Sequence, residues 1–473
     1  MSLVAGDILH MRTRIQYGNC PGLRRECGQP PALAVASHGA LILVPAQVST
    51  PSAMVDAHAG GPEHAARWLM LNLGITSAGA TLKILILGGD GYLGWPTALH
   101  LSEVGHEVAV LDNFARRGYD LEMGVDSLVP IEALQTRIRV WHELTGRRIS
   151  CYVGDLTDAD FTYHVVRELG PDTIVHFAEQ RAAPYSMVDR KHAVYTQVNN
   201  VVGTLNVLYA IAEINPEIHL VKLGTMGAYG TPNIDIEEGW IEIEHKGRKD
   251  RVLYPKRPGS YYHLSKVHDS HNIEFACRIW GIRATDLNQG VVYGQQTPET
   301  ARDDRLATRY DYDAVFGTVL NRFVIQSVLG MPMTVYGNGS QVRGIIEIRD
   351  TVRCLQLACE NPADRGEFRV FNQMTQSLSI NQMAETIARV SQDKASNDKA
   401  SVDHLPNPRV EEEGHHYNVV HSGLVELGLE PHLLSDTLIE SLLEITKRYA
   451  HRVRPEAMIP TIDWRSSASP IGR

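Results

Sequence analysis

Gly88, Gly91 and Gly94 recur at every third position directly after the apolar run Lys83-Ile84-Leu85-Ile86-Leu87, and nothing else in the chain restricts its fold as tightly. A helical stretch ending near Gly105 follows, then a second strand-like run from Glu107 to Asp112. Strand, glycine turn, helix and strand in that order make one βαβ unit. Glycines at these places permit the tight turn and let backbone N–H groups at a helix N-terminus approach a pyrophosphate. Asp112 ends the second strand 24 residues after Gly88. A carboxylate there accepts from an adenosine ribose 2′-hydroxyl and repels a 2′-phosphate, so NAD is the expected cofactor. Arg116 and Arg117 leave room for a 2′-phosphate reading.

Short apolar strands are expected at 149 to 154, 173 to 178, 219 to 224 and 283 to 289, with helices at 191 to 213 and 261 to 280 between them. Such alternation reads as an α/β fold, a doubly wound parallel (Rossmann) sheet. Functional groups gather at the C-terminal strand ends in that architecture. Asp155, Glu179-Gln180-Arg181, Thr225-Met226 and Asn288-Gln289 stand at those ends. Asn113, Arg116, Asp155 and Leu156 complete the expected cofactor-binding set with the glycines and Asp112.

From about 290 the pattern shifts to a polar connection (297 to 312), a helix at 313 to 329, short strands at 333 to 336, 345 to 348 and 368 to 371, and helices near 379 to 391 and 435 to 449. These short, mixed elements predict a smaller mixed α/β substrate-binding lobe. Residues 81–290 are therefore read as the cofactor domain and 291–462 as the second lobe, some of whose elements return to the first. Residues 392 to 403 are expected as a mobile insertion and 463–473 as a tail.

Residues 1–80 hold no Lys, five Arg and four acidic residues, without sustained periodicity. They are expected to be an extension without structure or a transit peptide. The location follows from that choice: cytoplasmic if the start lies too far upstream, plastid stroma if a leader is present.

A formal charge of −10 argues against a nucleic-acid partner. No run of about 18 apolar residues occurs, so no membrane insertion is expected. Six cysteines without a CxxC pair are expected to be free thiols in a reducing compartment. His268 and His271, and Glu411-Glu412-Glu413 beside His415-His416, lack a converging third ligand set in the sequence, so no metal is expected.

Tyr262 and Lys266 share a helix face at i and i+4. An ammonium beside a phenol favours the phenolate, which can take a proton from a sugar hydroxyl as hydride leaves. In order, Gly88, Gly91, Gly94, Asp112, Asn200-Val201-Val202-Gly203-Thr204, Thr225 and Tyr262/Lys266 resemble an extended short-chain dehydrogenase/reductase acting on nucleotide sugars. Within that superfamily, Asp112 to Arg117, Glu179 to Met187, Lys222 to Gly227, Tyr262 to Asn272 and Ala284 to Gly294 resemble the UDP-sulfoquinovose synthases. The resemblance runs from about Lys83 to about Trp464.

The resemblance implies conversion of UDP-glucose and sulfite to UDP-sulfoquinovose, the head-group donor of sulfolipid. It implies transient oxidation at carbon 4 with NAD regenerated in place, loss of water across carbons 5 and 6, and addition of sulfite at carbon 6. Tyr262 would be the base, Lys266 would lower its pKa and hold the nicotinamide ribose, and Thr225 would orient the 4-oxygen. Met226-Gly227 stand where 4,6-dehydratases carry Asp-Glu, which leaves His263 as the candidate for the carbon 5 proton. Ala228 stands where the family is expected to carry Glu. Arg343 and Arg409 match phosphate-binding positions, Arg181 and Asn288 are expected near the sugar, and a homodimer through helices 191 to 213 and 261 to 280 is implied. A sulfite-delivering protein is a further possible partner. Two alternatives stand beside this reading: a UDP-glucose epimerase or 4,6-dehydratase, and a scaffold that binds NAD and nucleotide sugar without turnover.

Overall fold

The computed structural model describes residues 33–37, 40–44, 81–392, 401–409 and 414–464. The chain divides into two compact units, Met1–Gly79 and Ala80–Arg473. In the first, Leu33–Ser37 pairs antiparallel with Ala40–Val44, a hairpin absent from the sequence reading.

Seven strands form the central sheet of the second unit: β1 (Lys83–Leu87), β2 (Glu107–Asp112), β3 (Ile149–Val153), β4 (Thr173–His176), β5 (His219–Leu223), β6 (Arg283–Gln289) and β7 (Phe368–Gln373). Their order is β7-β6-β5-β4-β1-β2-β3, and every neighbouring pair is parallel. The order reverses direction between β1 and β4, which places the ligand crevice at their C-terminal ends. Ile84 and Ile86 pack against Trp95, Leu99 and Val110 on one face, while Leu85 and Leu87 join Val165, Leu208 and Ile273 on the other. Burial on both faces explains why β1 reads as a continuous apolar run.

α1 (Gly94–Glu103) starts directly at the third glycine. The helix expected over 191 to 213 is α2 (Arg190–Gln197) and α3 (Gly203–Ile214), joined by a π-helical turn, Val198–Val202. α4 (Tyr261–Trp280) begins at Ser260, whose hydroxyl accepts from the His263 N–H, and ends at Gly281 in a left-handed conformation.

Within the single unit Ala80–Arg473 a second core cluster packs α5 (Val319–Val328), α6 (Ile380–Gln392) and α7 (Asp436–Tyr449) around Phe323, Met333, Ile345, Met383, Ile387 and Leu442. Several boundaries differ from the sequence reading. The helix expected from 313 starts at Val319, because the Asp313 carboxylate accepts from Val315 N and Phe316 N, 2.8 Å each, and closes a separate turn. The strand expected at 345 to 348 is Val342–Glu347, and a helix, Ile348–Glu360, starts at once, because the Glu347 carboxylate caps Arg349 N. The strand expected at 368 to 371 is β7, in the main sheet beside β6. Of the expected insertion, 393–400 lies outside the described residues, while Val402–Leu405 is a strand paired parallel with Met333–Tyr336. Of the expected tail, 465–473 lies outside the described residues.

Among the described residues no helix is long and apolar enough to cross a membrane. Cys151, Cys277, Cys354 and Cys359 are free thiols, and Cys20 and Cys27 lie outside the described residues.

Arg137, with its side chain fully buried, reaches Asp90 in the glycine turn at 2.5 Å and lies over the Trp95 ring. Arg137→Met should leave Asp90 with Arg117 alone and cost about 3 kcal/mol, as for a broken buried ion pair. Urea unfolding checks this, and a loss below about 1 kcal/mol would show that the pair does not brace the turn.

Candidate active site

Two cavities meet at the C-terminal edge of the sheet. The first is lined by the glycine turn, the ends of β2 and β4, Thr225, Tyr262 and Lys266. The second is lined by Thr225, Met226, Gly227, His263, Arg343 and Arg409, among others. Thr225, Gln289, Gly290 and Val291 line both.

The first cavity has the form of a dinucleotide cradle. Gly88 has φ +91°, and a Cβ on Gly94 would lie 2.0 Å from the Gly88 carbonyl oxygen, so the backbone sits closer than any side chain permits. The Asp112 carboxylate accepts from Asp90 N (2.8 Å) and Phe114 N (2.7 Å), which fixes it at the strand end. Burial pushes the Asp112 carboxyl up, opposed by the Asp90 N–H. Asn113 Nδ2 donates to Asp155 Oδ2 (2.9 Å), and Asn113, Arg116, Asp155 and Leu156 line the same cavity. The two arginines that left a 2′-phosphate open are both engaged. Arg117 forks onto Asp90 at 2.8 and 3.0 Å, and Arg116 pairs with Asp120 and Asp311. Donors and cradle therefore fit NAD, whose 2′-hydroxyl Asp112 would hold.

The expected tyrosine lines the first cavity. Burial pushes the Tyr262 phenol up to about 12, opposed by the charge of Arg181 and a hydrogen bond with Thr225, and reinforced by Asp269. The lysine that was expected to lower it is turned elsewhere in this structure. Lys266 Nζ is 5.8 Å from the Tyr262 ring centroid, ion-paired with Glu179 and donating to the Leu223 carbonyl. Thr225 Oγ1 accepts from Gly227 N at 3.2 Å, which opens a 3₁₀ turn, Met226–Ala228.

His263 lies within hydrogen-bond distance of Ser260 Oγ through Nδ1 (3.0 Å), and its Nε2 faces Gly227, where a Cβ would come within 2.3 Å. Burial, then the charges of Arg409 and Arg343, push this imidazole down to about 3, so it is neutral. Arg409 also lies over the Trp464 ring, 5.1 Å from its centroid.

One residue is placed differently from expectation. Asn288 is fully buried, donates to Tyr229 Oη (2.7 Å) and is not among the residues lining either cavity, whereas Gln289 lines both. Strand alternation explains the exchange. Arg181 lines the first cavity together with Thr225 and Tyr262 and pairs with Asp311. Ala228, the last residue of the 3₁₀ turn and 1% exposed, lines neither cavity. His268 is engaged elsewhere, with Nδ1 3.1 Å from Gln197 Oε1. A different trio, Glu347, Asp350 and His432, brings ligand-type atoms within 4.8 Å, but His432 binds Asp350 and Arg349 binds Glu347.

The model of the NAD dependent epimerase/dehydratase family matches residues 84–372. UDP-sulfoquinovose synthase, chloroplastic, of Spinacia oleracea is 56% identical over 81% of this chain and 79% of its own. UDP-sulfoquinovose synthase of Sulfolobus acidocaldarius is 41% identical over 81% of this chain and 98% of its own. The chain belongs to the UDP-sulfoquinovose synthases of the NAD dependent epimerase/dehydratase family. Among solved structures, UDP-glucose 4-epimerase of Thermotoga maritima with UDP-glucose superposes with a TM-score of 0.56 at 19% identity, over 78% of this chain and 99% of that one. The Thermus thermophilus epimerase complex with NAD gives 0.53 at 21%, over 77% and 98%. At these identities the likeness concerns the fold.

Lys222 and Asp269 were missed, although a lysine inside the apolar run of β5 and an acid three residues after Lys266 were visible signals.

Gly94→Ala should reduce NAD affinity more than tenfold and also lower the melting temperature, because the added Cβ meets the Gly88 backbone. Calorimetric titration with NAD checks this, and unchanged affinity would remove the close turn from the cofactor site.

Proposed function

We propose that this chain converts UDP-glucose and sulfite to UDP-sulfoquinovose for sulfolipid biosynthesis. The observation that carries the reading is the junction of the two cavities at Thr225. A sugar bridging them meets Tyr262 on the cofactor side and neutral His263 on the other. NAD, when bound, supplies the acceptor and later the donor of the carbon 4 hydride. Tyr262 as phenolate takes the 4-hydroxyl proton, and Thr225 holds the 4-oxygen. His263, with Nδ1 engaged by Ser260 and Nε2 turned to the second cavity, takes the carbon 5 proton of the keto sugar. Arg343 and Arg409 face the diphosphate, and the anion offsets the two charges that depress His263. The 6-hydroxyl leaves as water to give the enone across carbons 5 and 6, and sulfite, free or delivered by a partner protein, then adds at carbon 6 while carbon 5 takes a proton back. The chloroplastic relative from spinach favours the plastid stroma over the cytoplasm for this chain.

Incubation with UDP-glucose, NAD and sulfite should give a sulfonated nucleotide sugar by mass spectrometry. An epimerised or dehydrated sugar without sulfur would overturn the assignment. His263→Ala should keep NAD and UDP-glucose affinity within about threefold and lose sulfonated product by at least a hundredfold, the range of a lost general base. Unchanged turnover would remove it from the mechanism.

A homodimer through α2, α3 and α4 accompanies this reading. Val194 on α2, Val198 and Val202 in the π-helical turn, Tyr209 on α3, and Tyr261, Phe275 and Ile279 on α4 are 37 to 53% exposed. Apolar side chains clustered in this way mark an interface. Phe275→Glu should convert a dimer to a monomer in analytical ultracentrifugation. A wild-type protein that sediments as a monomer contradicts the assignment.

A further inference from the structure

Four charged side chains lie in a row that ends at Lys266, whose Nζ is 5.8 Å from the Tyr262 ring centroid. Asp269 Oδ2 is 3.1 Å from Lys222 Nζ, Lys222 Nζ is 2.5 Å from Glu179 Oε1, and Glu179 Oε2 meets Lys266 Nζ. The side chains of Asp269, Lys222 and Glu179 are 1% exposed and that of Lys266 is 5% exposed. Three elements contribute: the loop after β4, the β5 strand and α4. Lys222 also donates to Thr204 Oγ1 on α3 at 3.1 Å. Two cations and two anions alternate and sum to zero, so the row tolerates burial as a unit but not the loss of one member.

A second lysine is not needed to hold the first. Lys222 would be costly inside a central strand if Glu179 merely closed a structural ion pair with Lys266. Its placement fixes Glu179 by one carboxylate oxygen and leaves the other for Lys266. The strength with which Glu179 claims Lys266 decides how much positive potential reaches the phenol 5.8 Å away.

We propose that Glu179, anchored by Lys222 and Asp269, is a positioning residue that sets the basicity of Tyr262 by holding the Lys266 charge away from the phenol. Other groups facing this row are His176 and Asp286, and those facing Tyr262 are Arg181, Thr225, His263 and Asp269. Burial and the two lysines hold His176 well below its ordinary value, so it stays neutral and contributes no charge of its own. The inference rests on the proposed role of Tyr262 as base.

The test pairs variants of opposite sign in the full-length, NAD-loaded protein. Glu179→Gln removes a negative charge and should move the rising limb of the kcat/KM pH profile down by roughly one unit, because the phenolate forms more readily. Lys222→Met removes a positive charge and should move it up by a similar amount. The double variant restores neutrality and should return the limb to within about 0.3 units of wild type, and Glu179→Asp should keep the wild-type limb at lower kcat. A purely structural role would lower activity in all variants without opposite shifts, and shifts of one sign would overturn the proposal. Alkaline ultraviolet titration of the phenolate, referenced to Tyr262→Phe, should show the same order of shifts. Because it needs no substrate, it separates failure of the charge row from failure of the assigned reaction. Variants that do not fold are replaced by Glu179→Gln/Lys222→Met, whose stability near that of wild type is itself required by the proposal.

Discussion

Parallel pairing is the constraint from which the rest of this structure follows. When seven strands run the same way, every strand ends at the same edge, and every loop that leaves a strand must turn there. β1 and β4 add a second condition, because the connections run to opposite sides of the sheet at their junction and a crevice remains open between them. The glycine turn, Asp112, the loop at Glu179, Thr225 and Gln289 are neighbours for this reason, although they are spread over 202 positions of sequence. α4 then lays Tyr262 and Lys266 over the same edge from one side.

The electrostatics of the site follow from how little water reaches it. Each titratable group is pulled towards its neutral form by burial, and what distinguishes the groups is the charge each is given in compensation. Tyr262 has Arg181 and a hydroxyl, so it is held back only in part. His263 has two arginines, which add to burial rather than oppose it. In the proposed reaction these are complementary settings: a phenol that loses its proton, and an imidazole that gains one once an anion is bound.

Much of this was legible beforehand. The βαβ unit, the six strands through Gln289 and the Tyr262/Lys266 helix are coded by local patterns, and local patterns survive in one dimension. What sequence missed depends on pairing at a distance. Phe368–Gln373 looks like any short strand of the second lobe, and its place beside β6 is settled by register and packing, not by its own residues. Asn288 and Gln289 are adjacent, both polar, and only the pleat decides which one reaches the cavity. The direction in which Lys266 points was equally hidden, since i and i+4 spacing sets a shared face but not which neighbour takes the ammonium.

The π-helical turn at Val198–Val202 carries one consequence of its own. A wider turn holds one residue more than the α-helix needs for the same rise, and here it swings Asn200 inward, where Oδ1 accepts from Gln180 N and Nδ2 donates to Ser265 Oγ on the helix that bears Tyr262. The surplus residue also sets the phase of everything after it. Removing it would rotate the remainder of the helix by about 100°. Thr204 would then leave Lys222, and Asn206 would leave the Leu156 carbonyl that it holds at 2.8 Å. A single-codon deletion in this turn therefore reaches the phenol and the cofactor loop together, through helical phase and not through any contact that the deleted residue makes.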